Sequence, residues 1–161
     1  MKRRIFLTGA LGAVASAMVL RTSAAAPGQS TTIEKVVKSE DEWRKVLTPQ
    51  QFSVMRQEGT ETPFTSPLNN EKRKGTFVCA ACALPLFESR TKYESGTGWP
   101  SFYDRIAGAS ETKTDVKLIY PRTEYHCARC GGHQGHVFED GPKPTGLRYC
   151  NNGVALKFMA A

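Results

Sequence analysis

A mainly β domain behind a short helical N-terminal wrap, clipped together by a metal, is the fold class that this 161-residue sequence predicts. Three observations carry that expectation. After Met55 no stretch keeps the 3.6-residue apolar period of a long amphipathic helix. From Thr76 onward, short runs of strand-forming residues are broken by Gly and Pro. Two Cys-x-x-Cys units stand 44 residues apart, a pattern that joins distant segments through one tetrahedral metal.

The first 26 residues stand apart from the domain. Lys2-Arg3-Arg4 precedes an apolar, Ala- and Gly-rich run over residues 5–20, and Arg21 and small residues follow. A charged start, a short apolar middle and an Ala-rich end form an export signal. The paired arginines before Ile5-Phe6-Leu7 resemble a twin-arginine signal, with cleavage expected within Ala24-Ala25-Ala26 and a bacterial periplasm as destination. An uncleaved membrane anchor is the alternative, disfavoured because a span wants about 20 strongly apolar residues. The net charge of +7 is largely this segment's doing. Without Lys2, Arg3, Arg4 and Arg21 the chain has 18 basic residues against 15 acidic, a net of +3. With no aromatic-rich basic stripe, nucleic-acid binding is not expected.

Residues 27–38 read as a linker and residues 39–161 as one domain. Ser39 and Glu42 are spaced as a capping box and open a first helix, with Trp43, Val46 and Leu47 as its apolar stripe. Thr48, Pro49 and Gln51 open a second, in which Phe52 and Met55 share a face. Residues 59–75, with Pro63, Pro67 and the charged Glu71-Lys72-Arg73-Lys74 run, read as an extended loop around the domain. Strands are expected at Thr76-Phe77-Val78, at Val116-Lys117-Leu118-Ile119-Tyr120 and at Leu147-Arg148-Tyr149-Cys150.

Cys79-Ala80-Ala81-Cys82 and Cys127-Ala128-Arg129-Cys130 supply four soft ligands, the set a structural zinc takes. Two disulfides are the rival reading in an oxidising compartment. Gly131-Gly132 would permit the tight turn of a metal knuckle, and neither motif has the strand-to-helix setting of a thioredoxin-like redox site. Metal is therefore favoured. One cysteine is left over, Cys150. As a strand, Arg148, Cys150 and Asn152 would point one way, setting a cation and an amide beside a thiol and favouring its thiolate. A small buried hydrophobe is the bland alternative. Asn152-Gly153 is a hairpin signal, so Asn152 also reads as a turn residue. His133 and His136, flanked by glycines, read as acid/base groups or core histidines, and least well as metal ligands.

Several longer motifs then occur in order: Ser95-Gly96-Thr97-Gly98-Trp99-Pro100-Ser101-Phe102, Arg122-Thr123-Glu124, His133-Gln134-Gly135-His136-Val137-Phe138, Asp140-Gly141-Pro142 and Gly146-Leu147-Arg148-Tyr149-Cys150, together with both Cys-x-x-Cys units. Over residues 42–158 the chain resembles the B-type methionine-R-sulfoxide reductases (the SelR family). The resemblance implies two antiparallel sheets in a β-tent (Mss4-like) arrangement and a structural zinc on Cys79, Cys82, Cys127 and Cys130. It implies Cys150 as nucleophile, a site lined by His133, His136, Asp140, Arg148 and Asn152, and Trp99 against the substrate's S-methyl group. Oxidised proteins or peptides would be the substrates, a thioredoxin-like or other thiol the reductant, and a monomer the working form.

The expected chemistry is thiolate attack on the sulfoxide sulfur while an acid protonates its oxygen, leaving Cys150 as a sulfenic acid. His136 is the expected donor, with His133 orienting it and Asp140 biasing its charge. Relatives with an intramolecular disulfide commonly carry Cys where this chain has Thr97, so a one-cysteine cycle is expected. Asn151 and Gly153 replace a usual Ile/Val and Ser, and Gln134 replaces a usual Leu. A zinc-stabilised binding module without chemistry, and a thiol–disulfide oxidoreductase, are the competing functions.

Overall fold

The computed structural model describes residues 33–118 and 120–161. The expected export signal and the first part of the linker lie outside them. Among the described residues no helix is long and apolar enough to cross a membrane. Residues 33–38 carry no regular structure, but Val36 N–H donates to the Arg129 carbonyl at 2.7 Å, and Ile33 and Val36 pack on the core.

Helix α1 (Glu40–Val46) and helix α2 (Pro49–Gln57) both begin with complete capping boxes. Ser39 and Glu42 exchange side-chain and backbone bonds at the first, Thr48 and Gln51 at the second. Each box satisfies two of the backbone N–H groups that a helix start leaves open. Trp43, Leu47, Phe52, Val54 and Met55 are buried. Val46, expected in the apolar stripe of α1, is instead 59% exposed. Of the seven residues of the helix only Trp43 is buried; the inward face continues at the C-cap Leu47, four residues on, and Val46, three on, falls outside it. Arg56 joins α2 to the second cysteine knuckle: its guanidinium lies over Trp43, 4.8 Å from the ring centroid, and donates to the Cys130 carbonyl at 2.9 Å.

Nine strands follow among the described residues: β1 (Gly75–Cys79), β2 (Pro85–Glu88), β3 (Lys92–Tyr93), β4 (Ser101–Phe102), β5 (Ser110–Asp115), β6 (Arg122–Cys127), β7 (His133–Phe138), β8 (Arg148–Asn151) and β9 (Leu156–Ala160). They form a three-stranded sheet in the order β2-β1-β9 and a six-stranded sheet in the order β3-β4-β8-β7-β6-β5, every pairing antiparallel. The expected mainly β fold with two antiparallel sheets is thus present. The strand expected over residues 116–120 is not. Strand β5 stops at Asp115, β6 starts at Arg122, and Val116, Leu118 and Tyr120 are exposed in the connection. The polar stretch Ser110–Asp115 forms the strand because each of its six residues pairs with β6. At a sheet edge, pairing outweighs apolar content.

An aromatic cluster fills the space between the sheets. Phe77 and Phe87 enter from the smaller sheet, and Phe102, Tyr125 and Tyr149 from the larger. Phe87 stacks on Phe102 with centroids 4.1 Å apart, and Tyr125 meets Tyr149 edge-on at 5.3 Å. Such side chains each contribute about 1.5–3 kcal/mol through burial. The buried Tyr125 hydroxyl donates to Asn151 Oδ1 at 2.6 Å, which gives the polar residue at position 151 an interior partner. With Tyr125 and Tyr149 facing the core, the alternate residues of β6 and β8 face the other way.

Candidate active site

Register assembles the site. In antiparallel sheets, directly paired residues stand side by side on one face. The pairs Ser101↔Cys150, Cys150↔His136, His136↔Glu124 and Glu124↔Lys113 form one row across β4, β8, β7, β6 and β5. Two residues along each strand, the same face carries Arg148, Phe138, Arg122 and Asp115. His133 joins them through a bulge. Tyr125 pairs with Gly135 and His126 with His133, leaving Gln134 as the extra residue. In a regular strand, residues three apart would point to opposite faces. The bulge brings the rings of His133 and His136 to a centroid separation of 5.5 Å. Gly135 lets β8 approach, since a Cβ there would lie 1.9 Å from the Cys150 carbonyl oxygen.

A cavity of about 110 Å³ opens on this face, lined by Thr60, Trp99, Arg122, Gly135, His136, Phe138, Cys150 and Asn152. Cys150 is partly buried in it. Burial pushes its thiol above the ordinary value, and the charge of Arg148 with hydrogen bonding from Thr97 and Arg148 only partly opposes that. The expectation of a stabilised thiolate is corrected here: without substrate, desolvation outweighs the cation. His136 Nε2 meets Asp115 Oδ2 at 2.7 Å. Burial nonetheless lowers the imidazole below its usual value, against the raising influence of Asp115. Asp115 is itself held low by the Lys117 N–H, by His136 and by Arg122. With Nε2–H donated to Asp115, neutral His136 keeps its lone pair on Nδ1.

His133 is buried, with Nδ1 2.7 Å from Glu124 Oε1, and Nε2 has no partner among the described residues. The other oxygen of Glu124 meets His126 Nδ1 at 2.9 Å. Burial opposes the charge on Glu124, yet the bonds from His126 and His133 hold it down to about 2. Asp140 does not reach either histidine. It makes a two-pronged pair with Arg148, at 2.8 and 2.7 Å, and the guanidinium lies 4.3 Å from the centre of the Phe138 ring. Strand β8 ends at Asn151, so Asn152 reaches the cavity from the following turn. Its Nδ2 donates to the Gln134 carbonyl at 3.0 Å, and its Oδ1 accepts from Glu61 N–H at 2.9 Å. Trp99 donates its indole N–H to the Glu61 carbonyl at 3.0 Å.

Asp115, Arg122, Glu124, Thr60 and Glu61 were given no role from sequence. The alternation in Arg122–Cys127 was the available signal for two of them: Arg122, Glu124 and His126 on one face, Tyr125 and Cys127 on the other. Asp115 lies at the end of a strand whose extent only pairing reveals.

The four remaining cysteines meet at one point behind the site. Their sulfurs lie within 4.8 Å of one another, with Cys79–Cys130 at 3.6 Å and Cys82–Cys127 at 3.5 Å. A tetrahedron of Zn–S bonds has edges of about 3.8 Å. The close pairs run between knuckles, and all five cysteines are free. The knuckles are built alike. Cys79 N–H donates to Leu84 O and Ala83 N–H to Cys79 O, just as Cys127 N–H donates to Gly132 O and Gly131 N–H to Cys127 O. Ala83 and Gly131 both take positive φ, 57° and 65°. This donor set fits a metal ion, which would fasten the β1–β2 turn to the β6–β7 turn.

Comparison with known proteins agrees with this architecture. A family model described as the SelR domain matches residues 47–160. The peptide methionine sulfoxide reductase MsrB of Methanosarcina barkeri is 58% identical over 124 residues, 76% of this chain and 87% of that protein. The protein of the same name from Leptospira interrogans is 54% identical over 126 residues, covering 78% and 96%, and that of Pseudomonas putida is 53% identical over 127 residues, covering 78% and 96%. With the match spanning both sheets, both knuckles and every wall of the cavity, the chain belongs to the SelR family, that of the MsrB peptide methionine sulfoxide reductases.

Proposed function

We infer that this chain is a peptide-methionine (R)-S-oxide reductase in which Cys150 is the nucleophile. The observation that carries the reading is the pairing of Cys150, the one cysteine outside the metal cluster, with His136 at the wall of a cavity it shares with Trp99. A sulfoxide is polarised toward oxygen, so its sulfur accepts a sulfur nucleophile once the oxygen is protonated.

In the free protein Cys150 holds its proton and His136 is neutral. His136 Nδ1 takes the thiol proton as substrate enters and passes it to the sulfoxide oxygen. Asp115 fixes the ring and stabilises the transient imidazolium. The Cys150 sulfur bonds to the substrate sulfur; oxygen then transfers to Cys150 as the substrate sulfur regains its electron pair. The sum is thiol plus sulfoxide giving sulfenic acid plus thioether, with no proton gained or lost. Trp99 walls the S-methyl group. Arg148, held by Asp140, supplies positive charge beside the reacting sulfur, and His133 backs His136. Two equivalents of an external thiol, thioredoxin-like or another carrier, return the sulfenic acid to thiol with release of water and a disulfide. Cys79, Cys82, Cys127 and Cys130 would hold a zinc ion whose part is structural.

The charged, then apolar, N-terminal segment supports export to a bacterial periplasm, where methionines of exported proteins are the substrates. Dabsyl-methionine R- and S-sulfoxides with dithiothreitol test the chemistry. The wild type should reduce the R epimer, and Cys150→Ser should lose that activity while keeping its metal and circular dichroism spectrum. R-sulfoxide turnover in Cys150→Ser would overturn the assignment.

A further inference from the structure

Glu61 is a buried carboxylate, 4% exposed, in the stretch that the sequence presents only as a wrapping loop. No Lys, Arg or His lies within ion-pair distance of it among the described residues. Its two oxygens are instead met by two backbone amides just beyond the Cys150 strand: Gly153 N–H donates to Oε1 at 2.6 Å and Val154 N–H to Oε2 at 3.0 Å. These amides begin a short 3-10 turn, Gly153–Ala155, for which Asn152 supplies no side-chain cap. Glu61 thus caps from a distant segment what the local sequence leaves open.

The main chain of the same residue holds two walls of the cavity. Its N–H donates to Asn152 Oδ1 at 2.9 Å, and its carbonyl accepts the Trp99 indole N–H at 3.0 Å. Thr60, its neighbour, lines the cavity directly. We propose that Glu61 is the positioning residue of the active site: by gripping the turn after Cys150 it fixes Trp99 and Asn152 at the spacing that receives the sulfoxide. The side chain anchors the loop, and the anchored backbone sets both walls. Cys150 itself is held independently, by its pairs with Ser101 and His136. Loss of the carboxylate should therefore loosen substrate binding while the thiol stays where it is. This rests on the assignment of the cavity under Proposed function.

Glu61→Gln keeps the shape of the side chain but turns one acceptor into a donor facing a backbone N–H. KM for methionine-R-sulfoxide should rise about tenfold with kcat changed less than about twofold, the pattern of lost binding rather than lost chemistry. The rate of Cys150 alkylation by iodoacetamide should stay within about twofold of wild type. In ¹⁵N-labelled protein the indole N–H of Trp99 and the amides of Gly153 and Val154 should shift and lose exchange protection, while the Trp43 indole stays put. Glu61→Asp, one methylene short, should lie between wild type and Glu61→Gln in KM. A wild-type KM with an unmoved Trp99 indole signal in Glu61→Gln would overturn the proposal. If neither variant folds, the wild type still decides: Gly153 and Val154 amides that exchange as fast as exposed loop amides would refute it. Failure of the cavity assignment shows up separately, as R-sulfoxide turnover by Cys150→Ser.

Discussion

His136 stands directly opposite Cys150 across β7 and β8, yet its hydrogen bond goes the other way, to Asp115 on β5 two strands off. Cys150, the proposed nucleophile, thus meets an imidazole whose far nitrogen is already committed. Neutral His136 is the working form in the proposed cycle, and burial keeps its pKa below the ordinary value of about 6.5. Turnover should therefore persist as pH passes below the ordinary imidazole value and fall only as pH drops through the lowered one. Asp115→Asn removes an influence that raises this pKa, so the acid limb should move to still lower pH while kcat falls about 10²-fold from loss of the oriented ring. A pH profile of kcat for both proteins checks the pair; an acid limb that stays put in Asp115→Asn would remove His136 from the role. The same sign applies to folding. The unfolded chain takes up this proton first, so the contribution of neutral His136 to stability is full above the ordinary value and declines as pH falls below it.

The Cys150 thiol is raised by burial and lowered by Arg148, with burial prevailing. Iodoacetamide alkylation of Cys150 should thus follow a titration whose midpoint lies above that of a free cysteine, about 8.5. Arg148→Met keeps length but removes charge, and the midpoint should move further up. A midpoint below 7 in the wild type would show that Arg148 outweighs desolvation.

Gln134 is fully buried, and its Nε2 donates toward Cys79 Sγ at 3.7 Å and to Gly132 O at 3.3 Å, while its Oε1 has no partner among the described residues. Gln134→Leu should move two quantities in opposite senses. Losing a hydrogen bond to a sulfur that would ligate the metal should weaken metal retention about 10- to 100-fold. Removing an unpaired buried oxygen should leave thermal stability of the loaded protein unchanged or slightly raised. Metal release to a chromogenic chelator and a melting curve measure the two; equal metal release in both proteins would show that the N–H···S contact has no weight.

Much of the molecule could be read before folding. Ser39/Glu42 and Thr48/Gln51 announced both helix starts because a capping box is local, complete within four residues. The cysteine spacing announced the knuckles for the same reason. The carboxylates of the site could not be read this way. Asp115 reaches His136 across an intervening strand, and Glu124 reaches His133 only because Gln134 bulges out of register, so both depend on which residues face each other between strands. Asp140, placed in the site by the family resemblance and expected to bias the charge of His136, instead pairs with Arg148 after the Gly141–Gly146 reversal. The apolar run at 116–120 read as a strand because its composition fits one, and composition carries no record of where a chain must turn.

Gly153 and Ser66 occupy each other's space. A Cβ on Gly153 would lie 1.8 Å from Ser66 Oγ and 2.5 Å from Ser66 Cβ. Both residues are buried, so neither can swing into solvent. Gly153→Ser should destabilise the protein by about 1–3 kcal/mol. Ser66→Gly in the same chain should recover most of that loss, a coupling that two independent sites would not show. Urea unfolding of the two single variants and the double variant gives the coupling energy; strict additivity would mean that the clash is relieved elsewhere.

Thr97 is close enough to Cys150 for hydrogen bonding to influence the thiol, and it offers no sulfur. The other four cysteines are gathered in the knuckles, on segments that the metal would fix. After one turnover without reductant, Cys150 should therefore remain as a sulfenic acid, trapped by dimedone and seen by mass spectrometry as a single adduct on that residue. An intramolecular disulfide to Cys150 in the wild type would refute this one-cysteine cycle. Thr97→Cys supplies the control from the same geometry. A thiol at position 97 sits within reach of the oxidised sulfur, so the variant should form a Cys150 disulfide after one turnover and lose its dimedone adduct. Its steady-state rate should then depend on a reductant able to open an intramolecular disulfide, whereas in the wild type a first thiol converts the sulfenic acid to a mixed disulfide with release of water and a second opens it.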